Sequence, residues 1–211
     1  MYRLNRITVV VVFALIVTGI LPWAAVASSE SQASIEQTFQ KAKQDYLHKD
    51  MSAASEQIKK GAAYMKTESL KASARGKEAL TSSAQELEKL AVDVKKGTVT
   101  SVKKIEEPFA RAYLALAADS HIKSTESWTK KESAKTGEAL GSSAKYLEQS
   151  FAWTGQKVET NTKKAIEKSK SISLKLKEKG NVIAKDVEKG LKDTGSEIEK
   201  LGKRISPKQD H

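Results

Sequence analysis

Apolar residues recur at three- and four-residue intervals through most of the chain after residue 27, and this periodicity is the strongest constraint on the fold. Helical spacing places such residues on one face of a helix. No alternating apolar and polar run bounded by turn residues is long enough to predict a strand. After residue 27, proline occurs only at positions 108 and 207. The sequence therefore predicts an all-α fold. The first segment shows the pattern in its simplest form, with steps of four, three and four: Ile35, Phe39, Ala42 and Tyr46.

The first predicted helix runs from Ser31 to His48, and the second from Met51 to Lys96. Asp50 follows a tight reversal and is a good N-cap for the second helix. Gly97 occupies the C′ position, where the left-handed backbone that glycine adopts easily ends a helix.

The third predicted helix runs from Thr100 to Trp128, and Pro108 either kinks it or separates a short first helix. A second reversal at Thr129-Lys130 leads to a fourth helix that extends to Val158. Short reversals join antiparallel neighbours. We therefore expect an elongated antiparallel bundle of three to four helices.

An internal repeat is visible in the predicted bundle. Residues 71–80 match residues 131–140 without a gap, at an offset of 60 that continues through 82–84 against 142–144. Such self-similarity predicts a duplication, with two parallel helices that pack in the same way on the helix between them. Chance similarity in a chain rich in Ala, Ser, Lys and Glu is the alternative.

The first 27 residues have the pattern of a secretory signal peptide. Arg3 and Arg6 precede the apolar segment Ile7–Trp23, and Ala25-Val26-Ala27 matches the small-x-small pattern that signal peptidase cleaves. The alternative is an uncleaved anchor, since the apolar segment approaches the length of a membrane span. We predict a cleaved signal and a periplasmic protein, with secretion as the alternative.

The mature chain would carry a net charge of +9, since the signal contributes two arginines to the +11 of the full chain. This excess favours anionic partners, namely a lipid surface or an acidic envelope component. Nucleic acid fits the charge, but an exported protein rarely meets it. The absence of cysteine excludes disulfides, thiolate zinc sites and iron–sulfur clusters.

The sequence divides the mature chain into a helical bundle, residues 28–160, and a basic tail, residues 161–211. The tail carries 14 lysines and arginines against 8 acidic residues. Its apolar spacing predicts a long amphipathic helix that binds a membrane surface, a partner protein or a second copy of the chain. A helix folded back on the bundle and a frayed tail are the alternatives. The partner- or membrane-facing candidates are Ile183, Val187, Leu191, Ile198, Leu201 and Ile205.

No pattern of catalytic or metal-binding residues emerges. His48 and His121 lack a second ligand at helical spacing, and no nucleophile motif or phosphate-binding loop is present. The predicted contact faces are built from small residues, which bury little area and leave no room for a cofactor. We therefore predict a non-enzymatic protein without metal or cofactor. Three aromatic residues could fill the bundle core or form an aromatic patch that binds a ligand: Trp128, Phe151 and Trp153.

Two resemblances add to this interpretation. The reversal at Tyr46–Asp50, followed by Ala53, Ala54 and Ile58, resembles the helical hairpins of YfdX-type periplasmic proteins. This resemblance implies a helical envelope protein linked to stress tolerance, with no catalytic residues. The lysine-rich tail, in which 187–191 is echoed at 198–202, is similar to late-embryogenesis-abundant and apolipoprotein-like helices. That similarity implies a helix that forms reversibly on lipid or on drying.

Together these features predict an exported protein that binds or protects an anionic membrane surface or a partner in the envelope. The alternative is a structural spacer that self-associates through its C-terminal helix.

Overall fold

The computed structural model describes residues 24–178 and 180–206, with side chains from Ile35 onward. This part of the chain is built from helices joined by short turns, which confirms the predicted all-α class. Of the predicted signal peptide, only residues 24–27 belong to the described part, where they begin the first helix. The helices are α1 Ala24–Leu47, α2 Met51–Leu70, α3 Gly76–Lys95, α4 Lys103–Thr129, α5 Ser133–Thr154, α6 Thr160–Lys177 and α7 Ala184–Ile205.

Several helix ends lie where the sequence predicts them. Asp50 caps α2, because its side chain accepts a hydrogen bond from the backbone N–H of Ala53. Gly97 follows α3 with φ at +69°, the left-handed conformation expected at a C′ position. Pro108 lies inside the continuous helix α4, so of the two alternatives for this proline the separate short first helix does not form.

The length predicted for the second helix is wrong, because the structure has two helices there, α2 and α3, joined by a turn. No glycine or proline occupies residues 71–75, so local sequence gives no stop signal. The turn is instead held by Asp119 of α4, whose Oδ1 accepts hydrogen bonds from the Ser73 backbone N–H and from Ser73 Oγ, both at 2.8 Å. A tertiary contact therefore ends this helix.

The tail also differs from the single long helix that its spacing predicts. It forms α6 and α7, and α6 packs on α5 while α7 packs on both α6 and α4. Neighbouring helices run antiparallel, as shown by Ser143 and Ser150 of α5, which donate to the carbonyls of Ala117 and Ala110 of α4. The described chain is therefore one bundle of seven helices.

Two hydrophobic clusters form the interior. The larger joins α1 to α5 with Ile166 of α6 and the C-terminal part of α7, and its aromatic centre includes Phe39 stacked on Phe109 at a centroid distance of 4.1 Å. The smaller lies where α5, α6 and α7 meet, and it consists of Leu140, Ile172, Leu176, Val187 and Leu191.

The two halves of the predicted repeat occupy α3 and α5. Leu80, Ser83, Ala84 and Leu87 are buried in α3, and so are their counterparts Leu140, Ser143, Ala144 and Leu147 in α5. Their contacts differ, however. Ser143 donates to α4, whereas the buried hydroxyl of Ser83 has no hydrogen-bond partner. The duplication therefore stays a prediction.

Candidate anion-binding surface

Helix α6 carries most of the excess positive charge of the tail. It contains six lysines and one glutamate, whereas α7 contains six basic and five acidic residues. The helices of the rest of the chain are close to balance. Because charge in α6 is of one sign, this helix is the strongest electrostatic feature of the described chain.

One face of α6 is fixed to the bundle by apolar and hydroxyl side chains. Ile172 and Leu176 enter the smaller hydrophobic cluster. Ser173 Oγ donates to the Gly137 carbonyl of α5 at 2.6 Å, and Ser169 shares a hydrogen bond with Thr194 of α7 at 2.6 Å. These contacts orient α6, so the opposite face must point outward.

The lysines occupy the two edges of this outward face. In the first row, successive lysines are seven residues apart, which is about 10 Å along the helix. Lys170 belongs to this row and pairs with Glu148 of α5 at 2.6 Å. The second row borders α7, where Lys168 pairs with Asp186 at 3.3 Å. Leu174 lies between the rows and is 56% exposed. We call the six lysines the α6 lysine face: Lys163, Lys164, Lys168, Lys170, Lys175 and Lys177.

Half of this face has no carboxylate partner among the described residues. In the part of the chain that the structure describes, no carboxylate lies within 4.0 Å of the ammonium groups of Lys164, Lys175 or Lys177. All three side chains are exposed. Their charge is therefore available to an anion in solution or on a surface.

A shallow groove of about 390 Å³ separates α6 from α7. Lys164, Lys168, Lys189 and Lys200 line it, together with Asp193 and Glu197. Glu197 is buried, and its carboxylate accepts hydrogen bonds from the hydroxyl of Thr162 and the ammonium group of Lys200. Burial acts to raise the pKa of Glu197, but these two hydrogen bonds and the charges of Lys200 and Arg204 outweigh it and lower the pKa. The groove is thus of mixed charge, and it shares Lys164 and Lys168 with the α6 lysine face.

Most of the apolar tail residues that were predicted to face a partner or a membrane are buried inside the bundle. Val187 and Leu191 belong to the smaller cluster, while Ile198, Leu201 and Ile205 belong to the larger one. Only Ile183 of the predicted set is exposed, at 70%. The cause is the break between α6 and α7, which turns the apolar stripe of α7 back onto α4 and α6.

The three aromatic residues do not come together as one patch. Trp153 is buried in the aromatic centre, edge-on to Phe109 at a centroid distance of 5.1 Å. Phe151 is buried with Arg204 over its ring at 5.5 Å. Trp128 is half-buried against the smaller cluster. They fill the core, which is the other interpretation that the sequence allows.

Other chemistry is sparse in the described residues. They contain no group of three or more His, Asp or Glu side chains that could hold a metal ion. His48 is exposed at the α1–α2 turn, whereas His121 is largely buried near α7 and burial lowers its pKa. Between residues 24 and 206, no described helix is long and apolar enough to cross a membrane.

No family model, curated protein or solved structure matches this chain. The resemblances to YfdX-type and apolipoprotein-like proteins therefore stay predictions, and any function must be argued from the residues themselves.

Sequence reasoning treated the whole tail as one basic unit and did not single out the α6 lysine face. A signal for it was present, since the thirteen residues 163–175 contain five lysines and a single acidic residue. What the sequence did not show is the helix boundary near residue 178, which separates this segment from the charge-balanced α7.

Proposed function

We propose that this chain is a non-enzymatic helical protein that binds an anionic surface through the α6 lysine face. The observation that carries this proposal is the presence, on the outward side of one helix, of three exposed lysines that have no carboxylate partner in the part of the chain described by the structure. Partial desolvation of an exposed, unpaired ammonium group costs little free energy. Three such groups on one helix therefore favour contact with phosphate or carboxylate groups.

The attachment would be electrostatic, because the apolar side of the tail is already covered. Each lysine close to an anionic lipid surface contributes about 1 kcal/mol, and this contribution decreases as salt screens it. Three to six lysines would therefore give roughly 3 to 6 kcal/mol. Binding of this strength is reversible and needs no unfolding of α7.

The location we propose is the cell envelope. The N-terminal 27 residues have the basic, apolar and small-residue order of an export signal. An envelope protein meets anionic phospholipid directly, and the resemblance to YfdX-type periplasmic proteins points to the same compartment. Self-association through α7, the alternative from the sequence, would require exposing an apolar face that α4 and α6 cover.

The test measures vesicle binding of the chain from Ser28 onward, which keeps every buried side chain that the structure describes. We expect it to sediment with vesicles of equal parts phosphatidylglycerol and phosphatidylcholine, and not with pure phosphatidylcholine. Raising salt from about 0.1 M to about 1 M shortens the Debye length from about 10 Å to about 3 Å and should release it.

A charge-matched pair of variants identifies the surface. The first replaces Lys164, Lys175 and Lys177 with Gln and should weaken binding at least tenfold. The control replaces three exposed lysines of α2 and α3 with Gln, namely Lys60, Lys77 and Lys89, and removes the same charge. Equal losses in the two variants would show that net charge alone drives binding and would overturn the assignment to α6.

A further inference from the structure

One end of the bundle combines unpaired positive charge with exposed aliphatic side chains. Resting on the proposed function, we propose that this end contacts an anionic phospholipid bilayer, with Leu174 and Ile183 entering its headgroup region. The end is formed by two turns, one between α4 and α5 and the other between α6 and α7. We call it the lysine-rich end.

Helix packing brings the two turns to the same place. The start of α5 lies against the end of α6, since a Cβ built on Gly137 would lie 2.8 Å from the Cβ of Leu176. Trp128, near the end of α4, and Val182, just before α7, both pack on the smaller hydrophobic cluster. The α4–α5 and α6–α7 turns therefore flank one another at the end of this cluster.

Two large aliphatic side chains project from this end. Leu174 lies one turn before the end of α6 and is 56% exposed, and Ile183 immediately precedes α7 and is 70% exposed. Single exposed aliphatic residues are common on protein surfaces. These two differ because both flank the same turn.

Ile183 has a second unusual property, its position at the N-cap of α7. No side-chain hydrogen bond caps this helix. Asn, Asp, Ser and Thr are preferred there, and an aliphatic residue forgoes the hydrogen bond that these would make. An exposed isoleucine at this position therefore stabilises neither the helix nor the core, which favours a role in contact with another surface.

The charges around these two residues are mostly unpaired. Five exposed lysines at or near the two turns have no carboxylate within 4.0 Å in the described part of the chain: Lys130, Lys131, Lys175, Lys177 and Lys185. Of the acids at or beside the two turns, Glu132 pairs with Lys135 at 2.9 Å and Asp186 with Lys168 at 3.3 Å. Glu126, Glu178 and Glu188 are exposed and have no ion pair within the described residues. Within the described chain, five unpaired lysines against three unpaired carboxylates leave this end positive.

A bilayer is the partner that uses both features. A soluble polyanion would satisfy the lysines but would gain nothing from Leu174 and Ile183. An anionic bilayer attracts lysines at its surface and accepts aliphatic side chains at the boundary of headgroups and acyl chains. The contact would be shallow, since the aromatic rings near this end are half-buried or buried.

The decisive variant combines Leu174→Gln with Ile183→Asn. Asparagine is a better N-cap than isoleucine, so this variant should fold at least as stably as the parent chain. We expect about tenfold weaker binding to vesicles of equal parts phosphatidylglycerol and phosphatidylcholine, because the exposed aliphatic area is lost from the contact.

The matched control combines Leu47→Gln with Val92→Gln. These side chains are 54% and 45% exposed and lie toward the opposite end of the bundle. Binding of this control should stay within twofold of the parent chain. Because the chain has no cysteine, a single Ile183→Cys or Leu47→Cys variant can carry an environment-sensitive dye. The emission of the dye should shift to the blue on vesicles at position 183 and not at position 47.

The outcomes separate this inference from the function on which it rests. If the parent chain binds anionic vesicles but the Leu174 and Ile183 variant binds equally well, the lysine-rich end is not the contact and only the electrostatic function stands. Tighter binding to soluble polyphosphate than to vesicles, with no dye shift at position 183, would also overturn the inference. No preference of the parent chain for anionic over neutral vesicles would overturn both proposals.

Discussion

Replacing Asp119 with Ala should destabilise the bundle strongly, because this side chain holds the turn between α2 and α3. It is 5% exposed. Its Oδ1 accepts hydrogen bonds from the backbone N–H and hydroxyl of Ser73, both at 2.8 Å, and its Oδ2 pairs with Lys123 at 2.7 Å. Ser73 Oγ in turn accepts a hydrogen bond from the Gly76 N–H at 3.0 Å, at the start of α3.

The expected magnitude follows from these contacts. Leaving the buried N–H of Ser73 without an acceptor costs about 1 to 3 kcal/mol. The ion pair with Lys123 is partly exposed and adds about 1 kcal/mol at most, while alanine recovers a few tenths through its helix propensity. We therefore expect a loss of about 2 to 4 kcal/mol in the free energy of unfolding, which should leave the chain folded.

Urea unfolding followed by circular dichroism measures this loss, and hydrogen exchange reports on the turn itself. The Asp119→Asn variant keeps an oxygen acceptor and should lose only about 1 kcal/mol. The control is Asp186→Ala, which removes an exposed carboxylate paired with Lys168 and should cost about 0.5 kcal/mol or less.

A loss for Asp119→Ala no larger than for Asp186→Ala would refute the reasoning. So would unchanged exchange protection at the Gly76 amide, because the turn would then be stable without the Asp119 carboxylate.

Three further predictions concern other parts of the bundle. Burial lowers the pKa of His121 below 6.5, so an unfolded chain binds the proton first and stability should decrease as pH falls below about 6.5, by no more than about 1.4 kcal/mol per pH unit. Urea titrations across this pH range should show a flatter profile for His121→Gln, and an equally steep profile for this variant would contradict the assignment to His121. Gly137→Ala should destabilise by about 1 to 3 kcal/mol, because its Cβ would lie 2.8 Å from the Leu176 Cβ and 2.9 Å from the Ser173 carbonyl oxygen; Gly202→Ala, whose Cβ would meet Leu114 at 3.6 Å, should instead stabilise by roughly 0.5 to 1 kcal/mol in thermal unfolding, and the reverse order would contradict the packing. Lys49→Gly should raise stability by about 1 kcal/mol, since Lys49 has φ at +64°, and a lower melting temperature would show that the lysine side chain offsets this strain.

Local signals in the sequence determined the fold class and those helix ends that depend on neighbouring residues. The three- and four-residue spacing predicted helices because each helix must bury one face. Asp50 and Gly97 marked a start and an end because capping by a side chain and a left-handed backbone act within a few residues. The basic character of the C-terminal region was equally visible, since charge is counted directly.

Only the tertiary structure decided the features that depend on residues far apart in the chain. The break between α2 and α3 depends on a hydrogen bond across 46 residues, from Ser73 to Asp119. The apolar stripe of α7 is the same in a free helix and in a docked one, and its burial against α4 and α6 follows from the turn before Ile183. That turn also separates the α6 lysine face from the balanced charges of α7. The amphipathic pattern thus determined that the C-terminal region forms helices. Packing against the bundle decided that the lysines of this region, rather than its apolar side chains, face outward.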